Sequence, residues 1–564
     1  MTGAEYIAMY LSVLGTTDVF GIPGGVVLDL IYAFDRQDGI TPHLSYHEQS
    51  AGFAACGFAQ ASGSLGVAYA TRGPGFTNLL TAVADAFFDS VPVLFLTAHS
   101  ADCPPDGMRV MSDQEMDTCG MVRKITKYSA RIDALDDLPN HLHAACQAAL
   151  HGRKGAVFLD VSAKVLCGDV GSPDINSYES GDEYGNADKL AHELIAAVRK
   201  ANRPVLLVGD GINQAGAGDA CRSFLVRAGI PCISSRFSHN LASRYENYFG
   251  YVGSHGIRAA NFILSKADLI VSLGNRLNVP IKSSSFSKVL SQAKFLRYDI
   301  DESEFGRELP NVACRKCDVT QLFKALRGID VDLGRHEVWI NVCRELAREL
   351  DDTDVNEAVA CIEKIMVLIP SDALVVSDVG NLEFFVSRAA VKYRLLNRLL
   401  YSKSFGAMGS AIGRSIGAYY ATRKPVVCFV GDQGFQFNVQ ELQFVSLHRL
   451  PIVTVLLNNG VSGMIRDKEH SKGYGKYLHV SADTGFSAPS MSKLSECYGM
   501  DYLEVSAVSG EMLMSAFKQP ARPLLVDCKI AEDVALIPTL PANRLCQDLC
   551  PELPAEKYKL LDKL

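Results

Sequence analysis

Short apolar runs of strand length alternate with helical patterns along almost the whole chain, and this alternation limits the fold more than any other feature. Examples are VPVLFLTA, AVFLDV, RPVLLVGDG, DLIVSLG, LVVSDVG, PVVCFVGD and LPIVTVLLN. Strands that alternate with helices in this way form mainly parallel sheets covered by helices. The sequence therefore predicts an α/β fold built from doubly wound domains.

Two polar stretches divide the alternation into three parts. Residues 167–189 are rich in Gly, Ser, Asp and Asn, and a charged stretch over about residues 327–357 precedes a new apolar segment. The predicted domains are residues 1–166, 188–330 and 356–540, followed by a tail of residues 541–564. A chain of 564 residues with 48% apolar content is long enough to bury three cores of this size.

Charge and composition exclude several classes of partner. The net charge is −8 and no basic cluster occurs, so we expect no binding to nucleic acid. No apolar run reaches membrane-spanning length, and the first residues lack the basic region of a signal peptide. The 16 cysteines are scattered, mostly in apolar segments, which favours a reducing, cytoplasmic location.

One cysteine pair has the spacing of a zinc knuckle. The pair is CRKC, residues Cys314 to Cys317. The only candidate for the second pair of zinc ligands is CQDLC, residues Cys546 to Cys550. That second pair lies in a proline-flanked tail, so packing roles are favoured over metal binding.

Two neighbouring apolar runs of the third domain end in polar residues. PVVCFV is followed by Gly431 and Asp432, and LPIVTVLL is followed by two asparagines that end at Asn459. With a helix between them these strands form a βαβ unit, so their carboxyl ends meet at one edge, where ligands bind. Carboxylate, amide and carbonyl oxygens suit Mg²⁺ that also contacts phosphate. A simple turn would explain the Gly-Asp pair, and a helix cap would explain the Asn-Asn pair, but neither explains why both pairs occur at neighbouring strand ends.

This spacing resembles the metal and diphosphate signature of thiamine-diphosphate (ThDP) enzymes, although GDQ stands where GDG is usual. The resemblance assigns Mg²⁺ to Asp432, Asn459 and the carbonyl of Val461. Met408, in GAMGSAIGRSIGA, matches the apolar residue that supports the bent cofactor. Further residues expected around the cofactor are Gly380, Asn381, Gly431, Gln433, Gly434, Ser462, Gly463 and Met464.

The first domain carries matches to the other half of that site. LSYHEQSAGFAACGFAQASG resembles the segment whose Glu contacts the pyrimidine ring, which makes Glu48 the candidate proton-sharing residue; an acid stabilised by a helix N-terminus is the alternative. We expect the adjacent His47 to cap or pack. The other catalytic candidates are Gly25 and Gln114. The cofactor-binding candidates from FGIPGGVV and ATRGPGFTN are Pro23, Gly24, Gly25, Gly73, Pro74 and Asn78.

The resemblance covers essentially the whole chain and is closest to acetolactate synthases and their relatives, including a subgroup associated with surface sugars. DQEMDTCGMVRKITKY, HGIRAANFILSKADLIVSLGNRL and LPANRLCQDLCPELP carry it. It implies a carboligase that decarboxylates a small 2-oxo acid, for which we expect pyruvate, and transfers the carbanion equivalent to a carbonyl acceptor. A simple decarboxylase that releases an aldehyde, a true acetolactate synthase and an inactive regulatory subunit are the alternatives.

The assembly and the acceptor side are further expectations from the resemblance. Family members share each site between two subunits, so we expect a homodimer or homotetramer. Acetolactate synthases carry Asp and Arg where Val279 and Pro280 stand here, and a Trp where this chain has Lys468. Lys282 and Lys468 are candidates to replace the lost cation. Lys127 matches a residue near the entrance.

The central domain resembles the one that binds FAD in acetolactate synthase. Relatives keep this domain after losing the flavin, so the sequence leaves FAD binding open. The candidate FAD residues are Gly209, Gly211, His255, Gly274, Arg276, Asp299 and Asp318.

Overall fold

The chain forms three parallel sheets of six strands each. The computed structural model describes residues 1–100, 113–171, 184–277, 288, 292–306, 311–331, 336–351, 354, 356–518 and 522–564. Within these ranges every pair of neighbouring strands in the three sheets is parallel. Helices flank each sheet, so the predicted α/β class is confirmed.

The first sheet has the strand order β2-β1-β3-β4-β6-β5. Strands β3, β4 and β6 are buried along their whole length, as their largely apolar sequences predict. The strands are β1 (Asp18–Gly21), β2 (Thr41–Leu44), β3 (Gly66–Ala70), β4 (Val93–His99), β5 (Tyr128–Ile132) and β6 (Ala156–Ser162). The helices are α1 (Gly3–Val13), α2 (Leu28–Arg36), α3 (Glu48–Ser62), α4 (Pro74–Asp89), α5 (Thr118–Val122), α6 (Leu138–Leu150) and α7 (Ala163–Cys167).

The second sheet has the order β12-β11-β10-β7-β8-β9. Its strands are β7 (Pro204–Val208), β8 (Cys232–Ser234), β9 (Tyr248–Tyr251), β10 (Leu269–Leu273), β11 (Lys294–Asp299) and β12 (Val312–Lys316). The helices are α8 (Ala187–Lys200), α9 (Gly211–Gln214), α10 (Gly218–Ala228), α11 (Arg258–Lys266), α12 (Val319–Leu326) and α13 (Glu337–Leu350).

The third sheet has the order β14-β13-β15-β16-β18-β17. Its strands are β13 (Leu374–Ser377), β14 (Leu399–Leu400), β15 (Val426–Gly431), β16 (Ile452–Asn458), β17 (Asp501–Glu504) and β18 (Leu524–Lys529). The helices are α14 (Glu357–Met366), α15 (Asn381–Lys392), α16 (Ser410–Thr422), α17 (Asp432–Phe437), α18 (Leu442–Leu447), α19 (Gly463–Ser471), α20 (Met491–Cys497), α21 (Gly510–Ala516) and, in the tail, α22 (Ala555–Lys563).

The first and third domains share one continuous hydrophobic core at the crossing of α3 and α16. A Cβ atom added to Gly417 would lie 1.8 Å from the carbonyl oxygen of Ala54. One added to Gly57 would lie 2.1 Å from the carbonyl oxygen of Arg414. The two helix backbones are therefore in direct contact, and only glycine fits at these two positions.

The C-terminal tail packs on the central domain. The Nη1 atom of Arg258 donates to the carbonyl oxygen of Leu549 at 2.9 Å, and the Nδ2 atom of Asn261 donates to that of Cys546 at 2.8 Å. Cys546 lies in one buried cluster of this domain and Cys317 in another. In the described ranges no three His, Cys, Asp or Glu side chains gather into a metal-binding group. Within the same ranges no helix is both long and apolar enough to cross a membrane.

Candidate active site

The ends of β15 and β16 bring Asp432 next to the loop that carries Asn459. The two strands pair in parallel, with Gly431 opposite Leu457, as the βαβ pattern predicts. Asp432 begins α17, and its Oδ2 atom accepts a hydrogen bond from the Gly460 N–H at 2.6 Å. Its Oδ1 atom accepts from the Gln433 N–H at 2.8 Å. The carboxylate is thus fixed against the following loop.

The environment of Asp432 suits a cation. The residue is only 3% exposed, and burial raises its pKa to about 6, although backbone N–H groups oppose this rise. A buried carboxylate without a cationic partner is costly, so a bound metal ion would stabilise its charged form. Together with the side-chain oxygen of Asn459 and the carbonyl of Val461 it offers three hard oxygen ligands, a set that fits Mg²⁺.

The residues around this loop offer donors for an anion. The Oγ atom of Ser462 donates to the Oε1 atom of Gln433 at 2.8 Å, which ties the two predicted segments together. Helix α19 begins at Gly463, and its first-turn N–H groups have no partners within the helix, an arrangement that suits phosphate. Asn381 starts α15 directly after Gly380, and its Nδ2 atom donates to the Oδ2 atom of Asp467 at 2.9 Å.

Met408 lies on a loop that is held in place by Asp378, a residue that was not among the predicted site residues. The Oδ2 atom of Asp378 accepts from the Gly409 N–H at 2.9 Å, and burial raises the pKa of Asp378 to about 6. A Cβ atom added to Gly434 would lie 2.2 Å from the same oxygen. The sequence did contain a signal for Asp378. The apolar run LVVS is followed directly by this acid, just as the apolar run PVVCFV is followed by a glycine and Asp432.

Glu48 lies on the first domain at the start of α3. His47 caps this helix, because its Nδ1 atom accepts from the Gln49 N–H at 3.1 Å, in line with the expected capping role. The Oε2 atom of Glu48 accepts from the Nδ2 atom of Asn78 at 2.9 Å. A Cβ atom added to Gly75 would lie 3.4 Å from the other carboxylate oxygen. Glu48, the start of α4 and Asn78 therefore form one cluster.

The loop of residues 71–75 joins the remaining candidates of the first domain to that cluster. A Cβ atom on Gly24, which follows Pro23, would lie 2.4 Å from the Cβ atom of Thr71. One on Gly25 would meet no atom within 4 Å, so this glycine borders open space. Gly73, which precedes Pro74, has a φ of 60°, and a Cβ atom there would lie 2.7 Å from that of Gln114.

An ion pair next to Gln114 was not predicted from the sequence. The Nη1 atom of Arg72 donates to the Oε1 atom of Glu115 at 2.8 Å. Arg72 precedes a glycine-rich turn and Glu115 follows Gln114, but sequence spacing alone does not pair them. Within the described residues, no hydrogen bond joins the Glu48 cluster directly to the Asp432 cluster.

A cavity of about 830 Å³ lies where the three domains meet. Burial lowers the pKa of His255 to about 4, and the pKa of Asp299 is raised by burial. Gly209 does not line the cavity; a Cβ atom there would lie 2.3 Å from the carbonyl oxygen of Gly274. The FAD candidates that line it are Gly211, His255, Gly274, Arg276, Asp299 and Asp318.

The acceptor-side residues are only partly described. Lys468 is exposed on α19. The Nζ atom of Lys127 donates to the carbonyl oxygen of His151 at 2.9 Å. Val279, Pro280 and Lys282 lie outside the described residues.

Family models for thiamine pyrophosphate enzymes match all three parts of the chain. The N-terminal TPP binding domain matches residues 1–120, the central domain residues 191–326, and the C-terminal TPP binding domain residues 378–528. The chain is 31% identical to the acetolactate synthase large subunit of Lactococcus lactis over 557 residues, which cover 96% of this chain and 95% of the relative. It is 31% identical to the acetolactate synthase isozyme 2 large subunit of Escherichia coli, over 83% and 84% of the two chains. A probable acetolactate synthase large subunit of Methanocaldococcus jannaschii is 29% identical over 97% and 94%.

Proposed function

The chain belongs to the thiamine-diphosphate enzymes of the acetolactate synthase type, and from this premise we propose that it decarboxylates pyruvate with ThDP and Mg²⁺ and joins the product to a carbonyl acceptor. Decarboxylation and carbon–carbon bond formation are the chemistry of this enzyme type. The metal, the 2-oxo acid and the acceptor are the proposed details.

The observation that carries the proposal is the buried Asp432 clamped against the Asn459 loop. Asp432, Asn459 and the carbonyl of Val461 would hold Mg²⁺, and the first turn of α19 would donate hydrogen bonds to the diphosphate. When bound, ThDP supplies the carbanion chemistry of the reaction. The protein positions the cofactor, excludes water from the site and supplies the charged groups around it.

Glu48 is the proposed proton-sharing residue. Asn78 binds one oxygen of its carboxylate, and the other points toward Gly75, where it can hold a proton for the cofactor ring. Glu48 and Asn78 act as a unit because the amide fixes the carboxylate in one orientation.

We also propose that the active unit contains at least two copies of the chain. The Glu48 cluster and the Asp432 cluster of one chain lie on different domains, and no hydrogen bond among the described residues joins them directly. In this proposal a partner subunit completes each site. Large apolar side chains next to the Asp432 cluster are exposed and would be covered by that partner: Met408, Phe437, Met464 and Ile465. Light scattering that shows an active monomer would contradict the shared site.

The acceptor is proposed to be an uncharged carbonyl compound, such as an aldehyde, a ketone or a keto-sugar. Val279 and Pro280 replace an acid and an arginine, so a second pyruvate loses a charge-assisted partner worth about 1.5–3 kcal/mol. That corresponds to roughly one to two orders of magnitude in acceptor preference. A cation from Lys282 or Lys468 would oppose this preference.

FAD is the proposed occupant of the cavity between the three domains. The cavity volume of about 830 Å³ suits a large cofactor, and acidic Asp299 and Asp318 stand at strand and helix ends, where ribose hydroxyls bind. An absorption spectrum of the purified protein, before and after unfolding, tests this directly. A cytoplasmic location completes the proposal.

The central experiment measures CO₂ release from pyruvate by the purified protein, with and without ThDP and Mg²⁺. We expect release that depends on both. Mass spectrometry of products from pyruvate plus a neutral carbonyl compound then identifies the acceptor. No release from any short 2-oxo acid would contradict the function, and acetolactate as the main product at saturating neutral acceptor would contradict the acceptor assignment.

A further inference from the structure

Gln114 is an exposed residue held in an unusual backbone conformation. Its φ is 62°, in the left-handed region that residues other than glycine seldom adopt. It packs against Gly73, whose φ of 60° and lack of a side chain allow the approach. Such a conformation persists only where surrounding contacts fix it.

The contacts that fix Gln114 converge on the next residue, Glu115. Its Oε1 atom accepts from the Nη1 atom of Arg72 at 2.8 Å, from the Ser100 N–H at 2.9 Å and from the Ser100 Oγ atom at 3.2 Å. Arg72 follows the end of β3 by two residues, and Ser100 directly follows β4. One carboxylate oxygen therefore ties two strand ends to the segment that carries Gln114.

The pair is asymmetric in burial. The side chain of Glu115 is 2% exposed and that of Arg72 is 18% exposed. A carboxylate this buried requires a cationic partner, and Arg72 supplies a cation in direct contact with it. Arg72 lies in the loop of residues 71–75, and the same loop approaches Glu48 at Gly75.

We propose that Arg72 and Glu115 are positioning residues that hold the Gln114 side chain beside Gly73, where its amide recognises the small 2-oxo acid or acceptor. The amide offers both a donor and an acceptor, which suits a carbonyl or carboxyl oxygen. This role rests on the proposed function, because it takes the space beside Gly73 and Glu48 as the reaction site.

The test compares Glu115→Gln, Arg72→Lys and Arg72→Met. We expect Glu115→Gln and Arg72→Met to lower kcat/KM for pyruvate by up to about a hundred-fold, the loss that follows when a reactive-site group is displaced by about an ångström. Because Gln114 is proposed to bind the substrate, the loss should be mainly a rise in KM. Arg72→Lys should recover part of this loss because it keeps the cation. The affinity for ThDP, measured by calorimetry, should stay at the wild-type value.

The decisive comparison places Glu115→Gln in a Gln114→Ala background. The effects of two substitutions are not additive when both act through the same side chain. Glu115→Gln should therefore raise the KM little further once the Gln114 amide has been removed. Arg131→Met is the matched control, because Arg131 pairs with Asp133 at 3.2 Å on the edge strand β5 and is 17% exposed. We expect it to leave the KM unchanged.

Two results would overturn the positioning role. One is a full additional effect of Glu115→Gln in the Gln114→Ala background. The other is a loss of ThDP affinity and thermal stability with an unchanged KM, which would indicate a purely structural pair. Wild-type turnover is measured first, so a wild type that releases no CO₂ contradicts the proposed function, whereas an active wild type with additive variants contradicts the positioning role alone.

Discussion

Replacement of Asp432 tests the proposed metal site most directly, because its carboxylate has two separable roles. Its oxygens accept hydrogen bonds from the Gly460 and Gln433 N–H groups at 2.6 and 2.8 Å, and the residue is almost fully buried. It is also the only charged member of the proposed Mg²⁺ ligand set. A substitution therefore changes both the free energy of unfolding and the metal affinity.

The two substitutions Asp432→Ala and Asp432→Asn separate these effects. Alanine leaves two N–H donors without acceptors, at about 1–3 kcal/mol each, so we expect a destabilisation of about 2–6 kcal/mol. Asparagine keeps the shape and one acceptor oxygen, so its cost should fall to about 1 kcal/mol. Both lose the negative charge, and we expect Mg²⁺ affinity to fall by at least ~100-fold, which equals about 2.8 kcal/mol.

Calorimetric titration of Mg²⁺ into ThDP-saturated protein measures the affinity, and urea unfolding measures the stability. Asp160→Asn is the matched control, because Asp160 is also buried but lies on β6 of the first domain, where its Oδ1 atom accepts from the Thr97 hydroxyl at 2.9 Å. It should lose stability while it keeps most of its Mg²⁺ affinity. Wild-type Mg²⁺ binding by Asp432→Asn would refute the assignment of this carboxylate as the metal ligand.

Three further predictions address the other parts of the site. Glu48→Gln should keep ThDP affinity but lose most exchange of the cofactor's acidic C2 proton, as measured by NMR, because an amide cannot share a proton; wild-type exchange would remove Glu48 from this role. Gly434→Ala should destabilise the protein by about 1–3 kcal/mol, since the new Cβ atom would lie 2.2 Å from Asp378 Oδ2, whereas Gly431→Ala meets no atom within 4 Å and should melt like the wild type. Glu441 lies just before α18, is buried, and links the third domain to the first, because its Oε1 atom accepts from the Tyr46 N–H at 2.9 Å. Burial raises the pKa of Glu441 from 4.5 to about 7, so its contribution to stability is complete below pH 4.5 and is lost as the pH rises through about 7. Glu441→Gln should lack this loss in urea melts at several pH values, and parallel profiles would contradict the assignment.

The parallel character of the sheets and most of their central strands followed from the sequence, because each of those strands is a short apolar run with a clear end. Edge strands such as β2, β12 and β17 are not apolar runs, and the strand orders were not predicted. The parallel pairing of β15 with β16, which the βαβ pattern predicts, places Asp432 beside the Asn459 loop. The start of α3 at Glu48, capped by His47, was equally local, since a cap depends on neighbours in the chain.

Contacts between distant segments were not accessible in the same way. Arg72 and Glu115 are 43 residues apart, and nothing in either segment indicates the other. The hold of Asp378 on Gly409 depends on how β13 and the following loop stack in three dimensions. Such pairs are selected by the packing of whole elements, which periodicity and turn signals do not encode.

The crossing of α3 and α16 restricts which sequences this fold can reach by mutation. At Gly57 and Gly417 the opposing atoms are carbonyl oxygens, which every amino acid carries, rather than side chains that a second mutation can shorten. A larger residue at either position therefore has no compensating partner, and only a shift of an entire helix would make room. The hydrophobic residues around the crossing can exchange with one another during evolution, whereas these two glycines should remain invariant in any lineage that keeps its first and third domains joined.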